Sequence, residues 1–198
     1  MQNEKKLAKY IVIEGMDGSG KTTQAKMLTD FLRKNGFDVL QVTEPSKNPI
    51  GKLILEKLLR GGFSSEVISL AFAADRMLHF EEVLKPALRE CDFIVSDRSF
   101  YSSLVYQPLF GSRYDWVREI NRYAITPDIT FILDIPVEVF MQRRGETDVV
   151  FEKEDFQKKV RQGYLDLPEK LNADFVVIDG ARSVDEIHTD IRSAVMRL

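Results

Sequence analysis

The stretch Gly15-Met16-Asp17-Gly18-Ser19-Gly20-Lys21-Thr22 carries the strongest chemical signal in the chain. Its spacing, G-x-x-x-x-G-K-T, falls between the apolar run Tyr10–Ile13 and the helix-forming segment Thr23-Gln24-Ala25-Lys26-Met27-Leu28. Strand, glycine-rich turn and helix in that order form a cradle for phosphate groups. The glycines let the backbone curl until successive N–H groups converge on one anion. The helix opening near Gly20 adds its positive N-terminal end at the same point. Lys21 has the reach for the outer phosphates, and Thr22 offers a hydroxyl to Mg²⁺. Gly15 to Thr23 therefore read as the binding loop for a nucleoside triphosphate, with Lys21 catalytic.

Three further constellations could complete a phosphoryl-transfer site. Asp97-Arg98 closes the apolar run that starts at Phe93. A carboxylate there is placed for a metal ion, and the planar fork of an arginine grips two phosphate oxygens. The plainer reading is an ion pair that caps the next helix. In Leu70-Ala71-Phe72-Ala73-Ala74-Asp75-Arg76, Phe72 and Arg76 share a helical face at i and i+4. Together they could stack on a nucleobase and hydrogen-bond its edge, or be a core ring beside a solvated cation. Gln142-Arg143-Arg144-Gly145-Glu146-Thr147-Asp148 reads as an arginine-bearing lid over about 142–152, closing on the triphosphate and excluding water. A basic helix C-terminus is the alternative there.

These residues need a scaffold that brings the ends of several strands together. Five apolar runs recur between helical stretches: Tyr10–Glu14, Val39–Thr43, Phe93–Ser96, Ile129–Ile135 and Phe175–Asp179. Rich in Val, Ile and Phe and barely alternating, they predict parallel strands buried on both faces. Helices are predicted over Lys21–Asn35, Ile50–Leu59, Ser65–Glu90 with a bend at Pro86, Ser102–Tyr106, Tyr114–Tyr123, Val137–Gly145, Glu154–Leu171 and Val184–Arg197. Strand–helix alternation implies a doubly wound α/β sheet of five parallel strands, whose ligands sit beyond the carboxyl ends of the strands. A chain of 198 residues without linker or repeat fits one such domain, 1–198.

Composition narrows the function classes. With 44% hydrophobic and 30% charged residues the chain is globular, and it has no apolar run long enough for a bilayer. A net charge of −3 gives no case for polynucleotide binding, so anionic ligands must be held by local arginines. The polar N-terminus has no signal-peptide core, and Cys91 is the only cysteine, so cytoplasmic residence is expected. His79 and His188 lack a metal-ligand partner at suitable spacing and read as structural.

Taken in order, G-x-D-G-x-G-K-T-T, T-E-P, F-A-A-D-R, D-R-x-x-x-S-S-x-x-Y-Q and R-R-G…F-E-x-E-x-F…V-R-x-G-Y resemble the thymidylate kinase family, from Ile11 to about Asp185. The resemblance implies a P-loop NTPase-type fold and transfer of the ATP γ-phosphoryl group to dTMP, with Mg²⁺ on Thr22 and Asp97. It implies that Asp17 holds the acceptor's 3′-hydroxyl and that Arg98 grips its phosphate. Phe72 would stack on thymine, Arg76 and Ser103 would meet the base, and Tyr106 would crowd the 2′ position with Gln107 close by. Glu44 and Pro45 would border the acceptor, and Arg182 would flank adenine. It further implies a homodimer packed along helices such as Ser65–Glu90.

The chain departs from the family pattern at Thr43, where an arginine for the acceptor phosphate is usual; Lys47 and Lys52 are the nearby cations. Met16 and Ser19 leave the phosphate loop without a second basic residue, which assigns transition-state charge to Arg143 and Arg144. Two rival readings stay open. One is a deoxynucleoside kinase using Glu44 as base, and the other a nucleotide-binding protein that has lost catalysis.

Overall fold

In a computed structural model, residues 7–144 and 153–198 are described, with the side chains of 58–60 and 144 outside that description. The strands are β1 (Lys9–Gly15), β2 (Val39–Thr43), β3 (Phe93–Asp97), β4 (Ile129–Asp134) and β5 (Phe175–Asp179). They form one 5-stranded sheet in the order β2-β3-β1-β4-β5, and every neighbouring pair is parallel. Helices α1 (Lys21–Lys34), α2 (Pro49–Arg60), α3 (Ser65–His79), α4 (Lys85–Glu90), α5 (Phe100–Leu109) and α6 (Tyr114–Ile120) precede β4. After it come α7 (Val137–Arg144), α8 (Glu154–Leu165), α9 (Leu167–Lys170) and α10 (Val184–Val195).

β1 lies at the centre and is buried on both faces. Ile11 and Ile13 pack with Leu28 and Leu32 of α1 and Ile187 and Ile191 of α10. The intervening Tyr10 and Val12 turn to the opposite face with Leu84, Ala87 and Ile94. That period of two is the pleat of a strand enclosed by helices on both sides. Truncating a side chain such as Leu28, which has no exposed surface, to alanine costs about 2–5 kcal/mol. The outer strands β2 and β5 depart from the expectation of full burial, because each has a neighbour on one edge only.

Caps fix the helix ends. Asn35 closes α1 and Gly36, at φ 87°, turns the chain away. The Asn48 side chain accepts from the N–H groups of Ile50 and Gly51 at the start of α2. Ser183 and Glu186 form a reciprocal capping box on α10.

The long helix expected over Ser65–Glu90 is three pieces. A single π-helical turn, Phe80–Leu84, separates α3 from α4. Pro86 has no N–H to donate and its ring would strike the carbonyl of Glu82, so the chain widens by one residue per turn just before it. The helix expected over Glu154–Leu171 likewise breaks at Asp166, two residues before Pro168. In the other direction, the short helix expected at Ser102–Tyr106 extends over Phe100–Leu109, with Ser99 capping it and Pro108 tolerated in its last turn.

The register aligns the carboxyl ends that matter. Asp97 pairs with Ile13 on one side and with Thr43 on the other, and Gly15 pairs with Leu133. Glu14 and the phosphate loop therefore begin where β3 delivers Asp97 and Arg98.

Candidate active site

The loop between β1 and α1 is shaped by glycines at two points. A Cβ on Gly15, whose φ is +139°, would stand 2.6 Å from the carbonyl oxygen of Leu133. Gly20 takes φ 100° as the residue before the first turn of α1. L side chains rarely adopt either conformation. Lys21 folds back over the loop, its ammonium donating to the Met16 carbonyl at 2.7 Å and lying 3.9 Å from Asp17. It is buried, and burial together with the nearby Arg98 charge brings its pKa down to about 7, against the opposing pull of Asp17, Asp97 and Glu14.

Thr22 donates to Asp97 at 2.5 Å, bringing a hydroxyl and a carboxylate together at the foot of the loop. Among the described residues no group of three or more His, Cys, Asp or Glu side chains is arranged to hold a metal ion. A hydroxyl and one carboxylate fit Mg²⁺, which takes few protein oxygens and completes its shell with phosphates and water.

Arg98 is the joint of the site. It has φ 75°, the one positive φ outside glycine among the described residues. Such a conformation costs about 1–3 kcal/mol and persists only where neighbours hold it. Its N–H donates to the Ile13 carbonyl at 3.0 Å, and its own carbonyl accepts from Ser96 Oγ at 2.6 Å. The side chain pairs with Asp17 through Nη2, while Nη1 donates to Ser102 Oγ at 3.0 Å and Tyr164 Oη at 2.9 Å. Behind it lies Glu14, fully buried, accepting from Ser99 N–H at 2.8 Å and from Ser102 Oγ at 2.7 Å. Burial pushes the Glu14 carboxyl up, against the pull of Arg98, Ser102, Ser99 and Lys21.

From this joint a cleft of about 220 Å³ opens between α3 and α5. Asp17, Arg98, Ser102 and Ser103 line it together with Glu44, Pro45, Phe72, Arg76, Tyr106 and Gln107, so every residue expected at the acceptor lies on its wall. Ile68, Ser99 and Phe110 complete the lining.

Arg76 is buried and heavily bonded. Its Nε donates to Glu44 Oε2 at 2.8 Å, its Nη2 lies 2.7 Å from the same oxygen and donates to Ser103 Oγ at 3.1 Å, and its Nη1 donates to Asn121 Oδ1. Glu44 is thereby committed to an arginine rather than left as a base. Gln107 donates from Nε2 to the same Ser103 hydroxyl at 3.1 Å, while its Oε1 is buried without a partner. Ser103 thus accepts twice and keeps its own proton to give.

At the loop between β1 and α1, Arg143 of α7 donates to the Gly18 carbonyl at 2.6 Å. The Arg144 side chain and residues 145–152, most of the expected lid, lie outside the described residues. Arg182 is on the surface, paired with Asp190 and donating to the Asp179 carbonyl. Gln24 of α1 donates to the Val184 carbonyl at 2.8 Å, which holds that turn beside the phosphate loop's helix. Thr23 is exposed in the first turn of α1. Lys47 does not line the cleft between α3 and α5; it lines a second cleft with Thr22, Thr43 and Asp97, and Lys52 lines neither.

A strand, a phosphate loop, a paired threonine and aspartate, and a base-sized cleft joined by one arginine invite comparison with known proteins. The family model described as thymidylate kinase matches residues 13–191. The chain belongs to the thymidylate kinase family. Among curated relatives, a protein of Thermococcus onnurineus named probable thymidylate kinase is 39% identical over 198 residues, covering 94% of this chain and 96% of its own length. A protein of Methanocaldococcus jannaschii with the same name is 42% identical over 184 residues, covering 92% of this chain and 93% of its own.

Sequence reasoning gave no role to Glu14, Ser102, Tyr164 or Asn121, although Ser102 and Tyr164 stand in the motifs that carry the family resemblance. A signal existed for Glu14, an acid ending an otherwise apolar strand. Nothing local marks Asn121, whose partner Arg76 lies 45 positions away.

Proposed function

We propose that the chain, as one kinase domain, transfers the γ-phosphoryl group of ATP to dTMP, giving dTDP. An oxygen of the dTMP phosphate attacks the γ-phosphorus, the bond to the ADP oxygen breaks, and the phosphoryl group changes hands. A phosphate monoester with a second pKa near 6 is already an anion, so this acceptor needs no general base. Catalysis is then positioning and charge stabilisation.

The observation that carries the reading is the shared wall: Asp17 of the phosphate loop and Arg98 of the β3 end both line the cleft that contains Phe72 and Arg76. Lys21 and the loop N–H groups hold the ATP phosphates from Gly15 to Thr23, and Arg182 lies toward the adenine. Thr22 and Asp97 hold Mg²⁺. When bound, that ion neutralises phosphate charge. Arg98 takes the acceptor phosphate, and Asp17 gives up part of its pairing with Arg98 to receive the sugar hydroxyl. Arg143 and Arg144 bring positive charge to the transferring group.

The base end suits an imide. The free hydroxyl proton of Ser103 and the unpartnered Oε1 of Gln107 are a donor beside an acceptor, the complement of a carbonyl beside an N–H. Thymine and uracil present that edge, whereas cytosine presents the reverse. The thymine methyl adds only ~1–3 kcal/mol of preference over uracil.

Cytoplasmic residence and a homodimer belong to the same reading. The dimer is supported by Val67 and Leu70 on α3 and Leu53 and Leu55 on α2, all large apolar side chains left exposed. Among the described residues no helix is long and apolar enough to cross a membrane.

A coupled assay with ATP and a panel of dTMP, dUMP, dCMP and thymidine tests the reading. The expected order is dTMP first, dUMP at reduced efficiency, and dCMP and thymidine far below. Thymidine as the preferred acceptor would instead favour the deoxynucleoside kinase reading, against which the Glu44–Arg76 pair already argues.

A further inference from the structure

Tyr164 has no part in the roles assigned so far, yet its hydroxyl has three polar side-chain partners in the site. It lies 2.9 Å from Arg98 Nη1, 2.9 Å from Ser102 Oγ and 3.1 Å from Glu14 Oε2. Ser102 is four residues from Arg98, whereas Tyr164 arrives from α8, 66 positions along the chain. We propose that Tyr164 is a positioning residue for Arg98, relaying the buried Glu14 carboxylate to Nη1 and so leaving the other edge of the guanidinium for the acceptor phosphate. The inference rests on the reading of Arg98 as the acceptor-phosphate residue.

Proton counting gives the relay its direction. Nη1 can only donate, and an ionised Glu14 can only accept. A phenol between them accepts from Arg98 and gives its one proton toward Glu14, directly at 3.1 Å or through Ser102 Oγ, which lies 2.9 Å from the phenol and donates to Glu14 Oε2 at 2.7 Å. Glu14 Oε1 is meanwhile filled by Ser99, through N–H at 2.8 Å and Oγ at 2.9 Å. A direct Glu14–Arg98 fork would consume two guanidinium nitrogens. Interposing hydroxyls holds Nη1 alone and keeps Glu14 off the Nε–Nη2 edge, which matches two phosphate oxygens once the acceptor displaces part of the Asp17 pairing at Nη2.

Packing fixes the relay in place. Tyr164 is 1% exposed, and its ring meets Tyr106 edge-on at 6.2 Å and 77°. The Arg98 guanidinium lies 5.5 Å from the Tyr106 ring centroid. One helical turn earlier, Arg161 grips Asp134 at the end of β4 with two hydrogen bonds of 2.6 and 2.8 Å. Arg161 and Tyr164 at i and i+3 face the sheet together, so α8 is pinned at the point where Tyr164 leaves it.

The test is Tyr164→Phe, which keeps the ring and removes the hydroxyl. Calorimetric binding of dTMP and of thymidine, in wild type, Tyr164→Phe, Arg98→Ala and the double variant, isolates the phosphate's share of affinity. The expected result is that Tyr164→Phe loses about tenfold of the dTMP-over-thymidine preference, with thymidine binding and the KM for ATP unchanged although the thermal midpoint falls. The double variant should bind dTMP no worse than Arg98→Ala. Glu14→Gln, which removes the charge at the far end of the relay, should lose the preference as well. An undiminished preference in Tyr164→Phe or Glu14→Gln overturns the inference, and so does a full additional loss on the Arg98→Ala background. A wild type that binds thymidine as tightly as dTMP overturns the assignment of Arg98 itself, and the relay with it.

Discussion

Arg143 Nη1 stands 2.6 Å from the carbonyl oxygen of Gly18, so an arginine from α7 touches the loop proposed to hold the triphosphate. The contact crosses 125 positions of sequence and joins the two regions that the missing basic residues at Met16 and Ser19 require to cooperate. Arg143 contacts a carbonyl that a bound triphosphate would outcompete, since a phosphate oxygen carries charge and a carbonyl only a dipole. Arg143→Ala is expected to lower kcat by about 10³, the scale of an arginine acting on a transferring phosphoryl group. Replacing Arg144 as well should abolish transfer, with dTMP binding largely spared in both. Loss of dTMP affinity at intact turnover would contradict this assignment.

Lys21 gives a prediction with a sign. Its pKa in the folded protein is about 7, below the ordinary 10.5 of a lysine. Between those values the unfolded chain binds more protons than the folded one, so this group's contribution makes stability rise with pH through that window. A bound triphosphate restores the charged form, so ATP binding at pH 8 should take up a proton. Binding enthalpies measured in buffers of different ionisation enthalpy report that uptake, which Lys21→Ala should remove. The variant should also be folded and nearly inactive.

Glu44 and Arg76 are each 6% exposed and pair within the cleft wall. Removing one partner leaves a buried charge uncompensated, so Glu44→Ala should cost about 3–5 kcal/mol in denaturant unfolding. Asn121→Ala leaves Nη1 of Arg76 without its acceptor and should cost about 1–3 kcal/mol. It should also raise the KM for dTMP while leaving that for ATP alone. An equal rise for both substrates would remove Arg76 from the acceptor's base.

How much of this was legible in the sequence depended on how far apart the partners lie. The shape of the loop between β1 and α1 was readable, because its constraints fall on adjacent residues: glycines at unusual φ, a lysine and a threonine at the helix start. Phe72 and Arg76 were readable as a pair for the same local reason, and the cleft gathers both. The Arg98 environment was not. Glu14 and Tyr164 meet across 150 positions, and neither residue type announces a partner at that distance. Pro86 marked a break in the long helix, but a proline does not specify whether the chain kinks or widens into a π turn. Lys47 and Lys52 were the nearby cations for the arginine absent at Thr43, yet Lys47 lines the second cleft, with Thr22, Thr43 and Asp97, and Lys52 lines neither. Asp75 fixes the loop that carries Lys47, accepting from the N–H of Ser46 at 2.8 Å and from its hydroxyl at 2.6 Å.

The central claim is that one arginine joins a triphosphate loop to a pyrimidine monophosphate cleft, so that phosphate passes to dTMP and not to water. Phosphorus NMR of the protein with ATP, Mg²⁺ and dTMP reads both fates in one tube. The account predicts stoichiometric dTDP and ADP without orthophosphate, with dTDP formation nearly lost in Arg98→Ala. Orthophosphate accumulating with no dTDP, or dTDP formed equally well by Arg98→Ala, would contradict it.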